Sequence, residues 1–421
     1  MQPAFPLAAS GGDFGTAVLV FGLLLMFGAL LSGIAHRSFL SLTAMFVLVG
    51  FALGEGGLEV LSFDPEGDFV EALALVALVV ILFRDGLEVD AEMLQTDWHL
   101  PFRKLVLAMP ITAGLIALAT HLLTDLGWTE SFLLAALLSP TDPVLSSGVV
   151  SNPRVPRLVR HSLTLESGLN DGLALPAIVA LSAALRAGDS DFVWWQFVLQ
   201  DITVGVVFGL VIGYVGSRLM PRHASLQDVI PAHQKSLYAL GIAFVAYGAT
   251  VADPAGNGLI GVYVSAMTLG ILRPDIRGYF TNRAEDVVEV VKLGIFVVFG
   301  SLLTLQGLFA DGWTAVAIVA FTLLVARPVA VYSALVRTET DLATRGFMAW
   351  FGPKGVATMT FALLVLSDTI PAGERIFNLA ALAVFCSILA HGITDTAGAN
   401  WIGRRSPPEG ATSVRTVRAR P

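Results

Sequence analysis

Residues 163–173 read LTLESGLNDGL, two acids within a run that is otherwise largely apolar. Ser167, Asn170 and Asp171 stand at i, i+3 and i+4, so a helix carries their polar groups on one face. Glu166 lies five residues before Asp171 and, at about 100° per residue, points about 140° away from it. The two acids therefore serve different ends. Asp171, with a hydroxyl and an amide beside it, is a titratable carboxylate among hard oxygen donors, the chemistry that suits an alkali cation or a proton. Glu166 faces elsewhere and needs a buried cationic partner.

Three further residues belong with them. Asp142 sits in ALLSPTDPVLSSG, where Pro140 and Pro143 lack the amide hydrogens that would satisfy the carbonyls of Ala136 and Ser139, so a helix opens there. Thr141 and the freed carbonyls add oxygen ligands. Arg327, in LLVARPVAVY, cannot shed its proton and is the natural partner for Glu166. Lys354 lies in AWFGPKGVATMTF, where Gly352, Pro353 and Gly355 interrupt a second helix; it is read as a cation facing the opposite break. The bland alternatives are a proline kink around a hydrogen-bonded Asp142 and a Lys354 that snorkels to an interface.

These groups matter because of where the chain places them. Of 421 residues, 55% are hydrophobic and 14% charged, and mean hydropathy is +0.76. Soluble domains average about 45–50% apolar and about 25% charged, so this is an all-α, polytopic membrane protein. The strand alternation of a β-barrel is missing. Apolar windows fall at 14–34, 38–54, 69–84, 101–123, 130–152, 158–186 and 195–220, then at 236–252, 257–272, 284–306, 313–337, 345–367 and 376–397, about thirteen spans. A charge at mid-bilayer costs about 2.5–3.5 kcal/mol or more, which makes the acids and cations inside such windows functional candidates.

The segment before the first window, MQPAFPLAASGGD, has no Lys or Arg, so the first helix is expected to stay as a span rather than be cleaved. Arginine and lysine fall in alternate breaks: Arg37; Arg84, Arg103 and Lys104; Arg154, Arg157 and Arg160; Arg218, Arg222 and Lys235; Arg273, Arg277 and Arg283; Arg337 and Arg345; and the tail after residue 403. The opposite breaks hold Arg186 and Arg375, which orients the chain with its N-terminus outside and its C-terminus in the cytoplasm. Residues 1–403 form one transmembrane unit and 404–421 a short basic tail.

The remaining charges have plainer readings. Glu289 and Lys292 are an i, i+3 pair in a group with Glu285 and Asp286. Asp85 and Glu88, in LFRDGLEVD, are expected in water at a span end, and His391 with Asp395 is read as a helix-end pair rather than a metal site. The single cysteine, Cys386, forms no internal disulfide. The net charge of −8 gives no case for nucleic acid, and no cofactor is called for.

The two interrupted spans are the fifth and the twelfth. If spans one to six and eight to thirteen are repeats joined by span seven, the interruptions correspond and the second repeat is inverted, a pointer to a secondary transporter with a site at the midplane.

The motifs TDP at 141–143, ESGLNDG at 166–172, ARP at 326–328 and GPKG at 352–355 resemble the monovalent cation:proton antiporters of the bacterial sodium/proton exchanger branch, over nearly the whole chain. The resemblance implies exchange of Na+, or of K+ or Li+, for H+ across the plasma (inner) membrane. It assigns Asp171 as the ion-binding and proton-exchanging carboxylate, with Asp142, Thr141, Ser167 and Asn170 near it, and Glu166 with Arg327 as a core-stabilising pair. It further implies a homodimer, a moving core at about 101–186 and 313–397, a scaffold at about 14–84 and 236–306, and a linker helix at about 195–220. Two departures stand out: Lys354 where the family more often has Arg, and FRDGLE at 83–88 where it usually has an acidic-Gly-Gly turn. With Asn170 in place of a second acid, the analogy favours one-for-one, electroneutral exchange. The rival readings are an intramembrane aspartyl protease using Asp142 and Asp171, and a cation channel.

Overall fold

A computed structural model describes residues 42–89, 98–142, 147–150, 152–188, 192–221, 230–252, 256–283, 285–368 and 370–405, with scattered positions between 15 and 30. Most of the first expected window, Arg37 and the tail from 406 onward lie outside the described residues. Among those described, every regular element is a helix. In chain order these are α1 Leu42–Leu53, α2 Asp68–Glu88, α3 His99–Leu123, α4 Trp128–Leu138, α5 Arg157–Ala187, α6 Trp194–Leu219 and α7 Ala232–Val251. They continue with α8 Gly258–Leu272, α9 Pro274–Arg283, α10 Glu285–Ser301, α11 Trp313–Ala334, α12 Leu342–Trp350, α13 Val356–Ser367 and α14 Gly373–Arg405.

Each apolar window from the second onward falls on one of these helices or on a broken pair. By length and composition, α3, α5, α6, α11 and α14 each suffice to cross a membrane alone, and α8 with the start of α9 does so only as a pair, bent by 116°. Exposed Leu122, Leu219, Leu324 and Val329 give the bundle an apolar exterior. Exposed tryptophans open α4, α6 and α11 at Trp128, Trp194 and Trp313, as aromatic residues do at a membrane interface.

Proline chemistry accounts for the irregular stretches in α3, α4 and α11 and between α12 and α13. α4 stops at Leu138 just before Pro140, and the Ser139 hydroxyl donates to the stranded Ala136 carbonyl at 3.3 Å. The next described helical turn is Ser147–Val150. α12 and α13 are separated by residues 351–355, which hold Gly352, Pro353 and Gly355. α3 and α11 each contain a widened turn, at Lys104–Ala108 and Thr322–Ala326, two residues before Pro110 and Pro328. A proline there cannot donate to the carbonyl four residues back, and the helix loosens to absorb the loss.

Packing divides the bundle into two groups of helices. α6 lies along α8, which packs on α2 and α7, and α10 packs on α1. The α6–α8 approach is close because Gly205, Gly209 and Gly213 line it; a Cβ at Gly209 would fall 2.7 Å from the Gly261 carbonyl. In the other group α3 packs on α4 and α11, α4 on α5, and α13 on α14. The seam between the groups runs where α2 meets α5 and α13, α8 meets α5, and α10 meets α13.

Candidate functional site

The two breaks lie against each other. Lys354 Nζ donates to the Pro140 carbonyl at 3.1 Å, the Asp142 amide donates to the Pro353 carbonyl at 2.8 Å, and the Thr358 hydroxyl donates to the Leu137 carbonyl at 3.0 Å. The Val356 amide, at the start of α13, donates to Asp142 Oδ2 at 3.0 Å. The electrostatics follow from the helix ends: the carboxylate of Asp142 meets the partial positive charge of the α13 N-terminus, and the Lys354 ammonium and Thr358 hydroxyl meet the carbonyl end of α4. Both residues expected at the breaks are thus brought together. Lys354 is 1% exposed, so it does not snorkel.

The crossing leaves no room beside Asp142. A Cβ at Gly355 would fall 2.2 Å from the Asp142 Cβ. Gly355→Ala should therefore force the two breaks apart, lowering stability by about 1–3 kcal/mol. Thermal unfolding of the purified variant checks this, and a variant as stable as the parent would show that the crossing yields easily.

Asp171 stands next to this crossing. Asn170 Nδ2 donates to the carbonyl of Thr141 at 2.9 Å and to its Oγ1 at 3.0 Å, which ties the α5 motif to the first break. Ser167, Asn170, Asp171 and Thr141 are all buried. Among the described residues, Asn170 Oδ1 is a buried acceptor without a hydrogen-bond donor, and none donates to the Asp171 carboxylate. The charges that act on Asp171 are those of Asp85, Asp142, Arg84 and Lys354. A buried carboxylate and an amide oxygen on adjacent residues of α5, with the Thr141 oxygens bonded to the same Asn170 side chain, bring together the hard oxygens that suit a proton or a small cation.

Glu166 points away, as the helical phase requires, into a second cluster. Arg327 Nη1 donates to Glu166 Oε1 at 3.0 Å and Lys104 Nζ to Glu166 Oε2 at 2.6 Å. Lys104 also donates to the Ser162 carbonyl at 3.2 Å, and Arg327 Nη2 to the Met348 carbonyl at 3.3 Å. The expected pair is a triad. Lys104, expected in a cytoplasmic flank, is 1% exposed. Its neighbour Arg103 does reach the helix end, donating to the Ala334 and Val336 carbonyls at 2.6 and 2.9 Å, while Lys104, about 100° further round, turns inward. Both triad cations lie at a widened turn, Lys104 opening one and Arg327 directly following the other.

Other expectations change. Asp85 is not in water: it is 4% exposed and accepts from Arg84 Nε at 2.8 Å and Nη2 at 2.5 Å. α2 continues four residues past the expected end, carrying the pair into the seam, where each charge compensates the other; Glu88, at the helix end, is exposed. Lys235 and Arg273, read as loop charges, are also buried. Lys235 Nζ lies 4.1 Å over the Tyr279 ring, and Arg273 caps the carbonyls of Ser217 and Met220 at 3.0 and 2.7 Å. His391 is not at a helix end but within α14, its ring nitrogens 2.8 Å from the Trp350 carbonyl and 2.7 Å from that of Ser387. Lys292 pairs with Glu289 at 3.9 Å, as its spacing suggests.

Tyr263 gave no sequence signal. Its hydroxyl donates to the Gly168 carbonyl at 3.0 Å, and its ring fills the space a Cβ at Gly172 would need, so α8 seats on the glycine face of α5 beside Asp171.

The model of the family described as sodium/hydrogen exchanger, transmembrane, matches residues 22–399. The chain is similar to the K(+)/H(+) antiporter NhaP2 of a Shewanella species, 26% identical over 93% of this chain and 68% of that protein. It is similar to the Na(+)/H(+) antiporter NhaP of Pseudomonas aeruginosa, 27% identical over 83% of this chain and 87% of that one. Its fold matches the sodium proton antiporter MjNhaP1 of Methanocaldococcus jannaschii at a TM-score of 0.78 and 18% identity, covering 93% and 99% of the two chains.

Proposed function

The chain belongs to the transmembrane sodium/hydrogen exchanger family, and from that membership and the setting of Asp171 we propose that it exchanges sodium for protons by alternating access at this one carboxylate. The observation that carries the reading is a buried Asp171 that receives no hydrogen bond from a described residue, beside the two helix breaks that meet at Pro140 and Lys354. A carboxylate so placed needs neutralising before it can cross, and either a proton or a cation does so. Competition between the two couples their flows.

The oxygens of Asp171, Thr141 and Ser167, with Asn170 Oδ1, would hold the cation. Asp142 secures the α13 N-terminus and adds negative potential. With Asn170 in place of a second acid, one proton exchanges for one cation and the cycle is electroneutral. Glu166, Arg327 and Lys104 stiffen the core that carries the site. That core comprises about 101–186 and 313–397 and moves against a scaffold of about 14–84 and 236–306. Thirteen crossings in two inverted repeats place α3 opposite α11, and the widened turn followed by proline in each supports that correspondence. The protein works as a homodimer in the plasma membrane, N-terminus outside. The fall of Lys and Arg in alternate breaks of the sequence supports this orientation.

The relatives named above are antiporters of K+ and of Na+, so potassium is the second reading. Purified protein in liposomes, with internal pH followed as sodium, potassium or lithium is added outside, tests both. Alkalinisation or acidification that follows sodium's gradient, without a membrane potential, is the expected result. Cation leak without proton movement would instead make it a channel, and cleavage of a membrane peptide would favour the protease. The protease reading fits poorly, because the Asp142 carboxylate is engaged by a helix N-terminus.

A further inference from the structure

Each helix group is tied together internally by close backbone approach and hydrogen bonds. A Cβ at Gly86 would fall 2.8 Å from the Tyr263 carbonyl and one at Gly270 would fall 2.7 Å from the Leu87 carbonyl, so α2 and α8 touch backbone to backbone and shift only together. In the other group, the crossing of the two breaks and the Asn170 bond to Thr141 bind α4, α5 and α13 to one another. The seam is looser where α2 passes α5: a Cβ at Gly168 would sit 3.8 Å from the Asp85 carbonyl, an ordinary contact. Between α10 and α14, Phe299 and Phe377 meet edge to face with ring centroids 5.2 Å apart, an apolar contact without a directional bond.

Tyr263 makes a different kind of contact. It projects from α8, the helix held to α2, and is 7% exposed. Its hydroxyl donates to the Gly168 carbonyl at 3.0 Å, and its Cε1 and Cζ occupy the place of a Cβ at Gly172. The two glycines are one turn apart on α5 and bracket Asp171, and the charges that act on the phenol are those of Asp85 and Asp171. A directional bond is thus combined with a ring seated in a notch, and any shift of α5 past α8 has to break the first and empty the second. Packed contacts of this kind hold one arrangement or another and do not deform continuously. The Gly168 carbonyl also accepts within the helical ladder of α5, and the phenol uses its second lone pair, so the helix itself does not need the tyrosine.

We infer that Tyr263 is a positioning residue that latches the two helix groups: its hydroxyl on Gly168 and its ring in the Gly172 notch hold α5, and with it Asp171, in the present register until a transport step withdraws both. The inference rests on the exchange reading above and deepens it by naming the contact that sets the rate of that step.

The test compares the parent with Tyr263→Phe, which loses the hydroxyl and keeps the ring, and with Tyr263→Leu, which loses both. In liposomes, Tyr263→Phe should raise turnover at saturating sodium by about fivefold, the effect of one net hydrogen bond made in the resting state and absent from the transition between registers. The KM for sodium should stay within about twofold, because the phenol holds the helix and not the ion. A residue needed only for folding would lower turnover and never raise it. Spin labels at Val245→Cys on α7 and Leu324→Cys on α11, both exposed, report the register directly in a Cys386→Ser background. With choline in place of sodium, the parent should show one dominant distance, that of the present register, and a second distance should grow from Tyr263→Phe to Tyr263→Leu. A rise in turnover or growth of the second distance in Tyr263→Phe supports the latch. A parent whose dominant distance belongs to another register overturns it, as does a fall in turnover in Tyr263→Phe, or a Tyr263→Phe that matches the parent in both turnover and distances. Each of these leaves the exchange reading in place. Absence of sodium-driven proton flux in the parent removes the exchange reading instead, and the distances then decide the latch alone: a second distance in the variants keeps it, and identical distances in all three proteins reject it.

Discussion

Asp171→Asn should reduce cation-driven proton movement to the level of liposomes without protein, while the variant still inserts and folds. Asparagine keeps the size of aspartate but can neither release a proton nor carry the charge that attracts a cation, so both half-reactions fail together. The structure adds a condition that separates this from damage to the fold. No described residue donates a hydrogen bond to the Asp171 carboxylate, so the substitution breaks none, and it removes a buried charge beside Asp85 and Asp142. Stability should therefore hold or rise by about 1 kcal/mol or more. Loss of flux together with an equal or higher thermal unfolding temperature is the expected pair of results. Exchange at the parental rate would reject Asp171 as the site, and loss of flux with a collapsed fold would place this residue with the structural charges instead.

Glu166→Ala should do the reverse, lowering the yield of folded protein sharply. In the triad one carboxylate faces two buried cations, Lys104 at 2.6 Å and Arg327 at 3.0 Å. Taking it away leaves both without a counter-charge in the low-dielectric interior, a cost of about 3–5 kcal/mol by analogy with other broken buried pairs. Lys104→Met removes one cation and leaves a balanced Glu166–Arg327 pair, so it should cost about 1 kcal/mol or less, or stabilise. Yield by size-exclusion chromatography and unfolding temperature in detergent give the comparison. Equal damage from the two substitutions would show that geometry, rather than charge balance, governs this cluster. Sodium affinity of whatever Glu166→Ala protein does fold should be close to parental, since Glu166 points away from the Asp171 face.

Much of the site could be read along the chain because the rules involved act over a few residues. The placement of Ser167, Asn170 and Asp171 on one face follows from helical phase alone. Both breaks follow from what proline and glycine do to a helix locally, and the structure has them after Leu138 and between Trp350 and Val356. Even the Glu166–Arg327 contact, 161 residues apart, could be inferred, because an arginine in an apolar window has no other escape from its charge.

What escaped the reading shares one cause. Lys104 and Arg103 are adjacent and alike in sequence, yet one lies in the core and the other caps a helix end. Arg84 and Asp85 look like a wet span end, yet Asp85 is buried and Arg84 half-buried in the seam between helix groups. Tyr263 carries no pattern at all. The amino-acid order by itself determined that the chain spans a membrane, where its helices break and which groups share a face, since hydrophobicity, proline and helical phase operate within one segment. Only the tertiary structure decided which charges are buried together and which hydroxyl reaches across the seam, because desolvation and inter-helix contact take effect once distant helices have closed around a side chain.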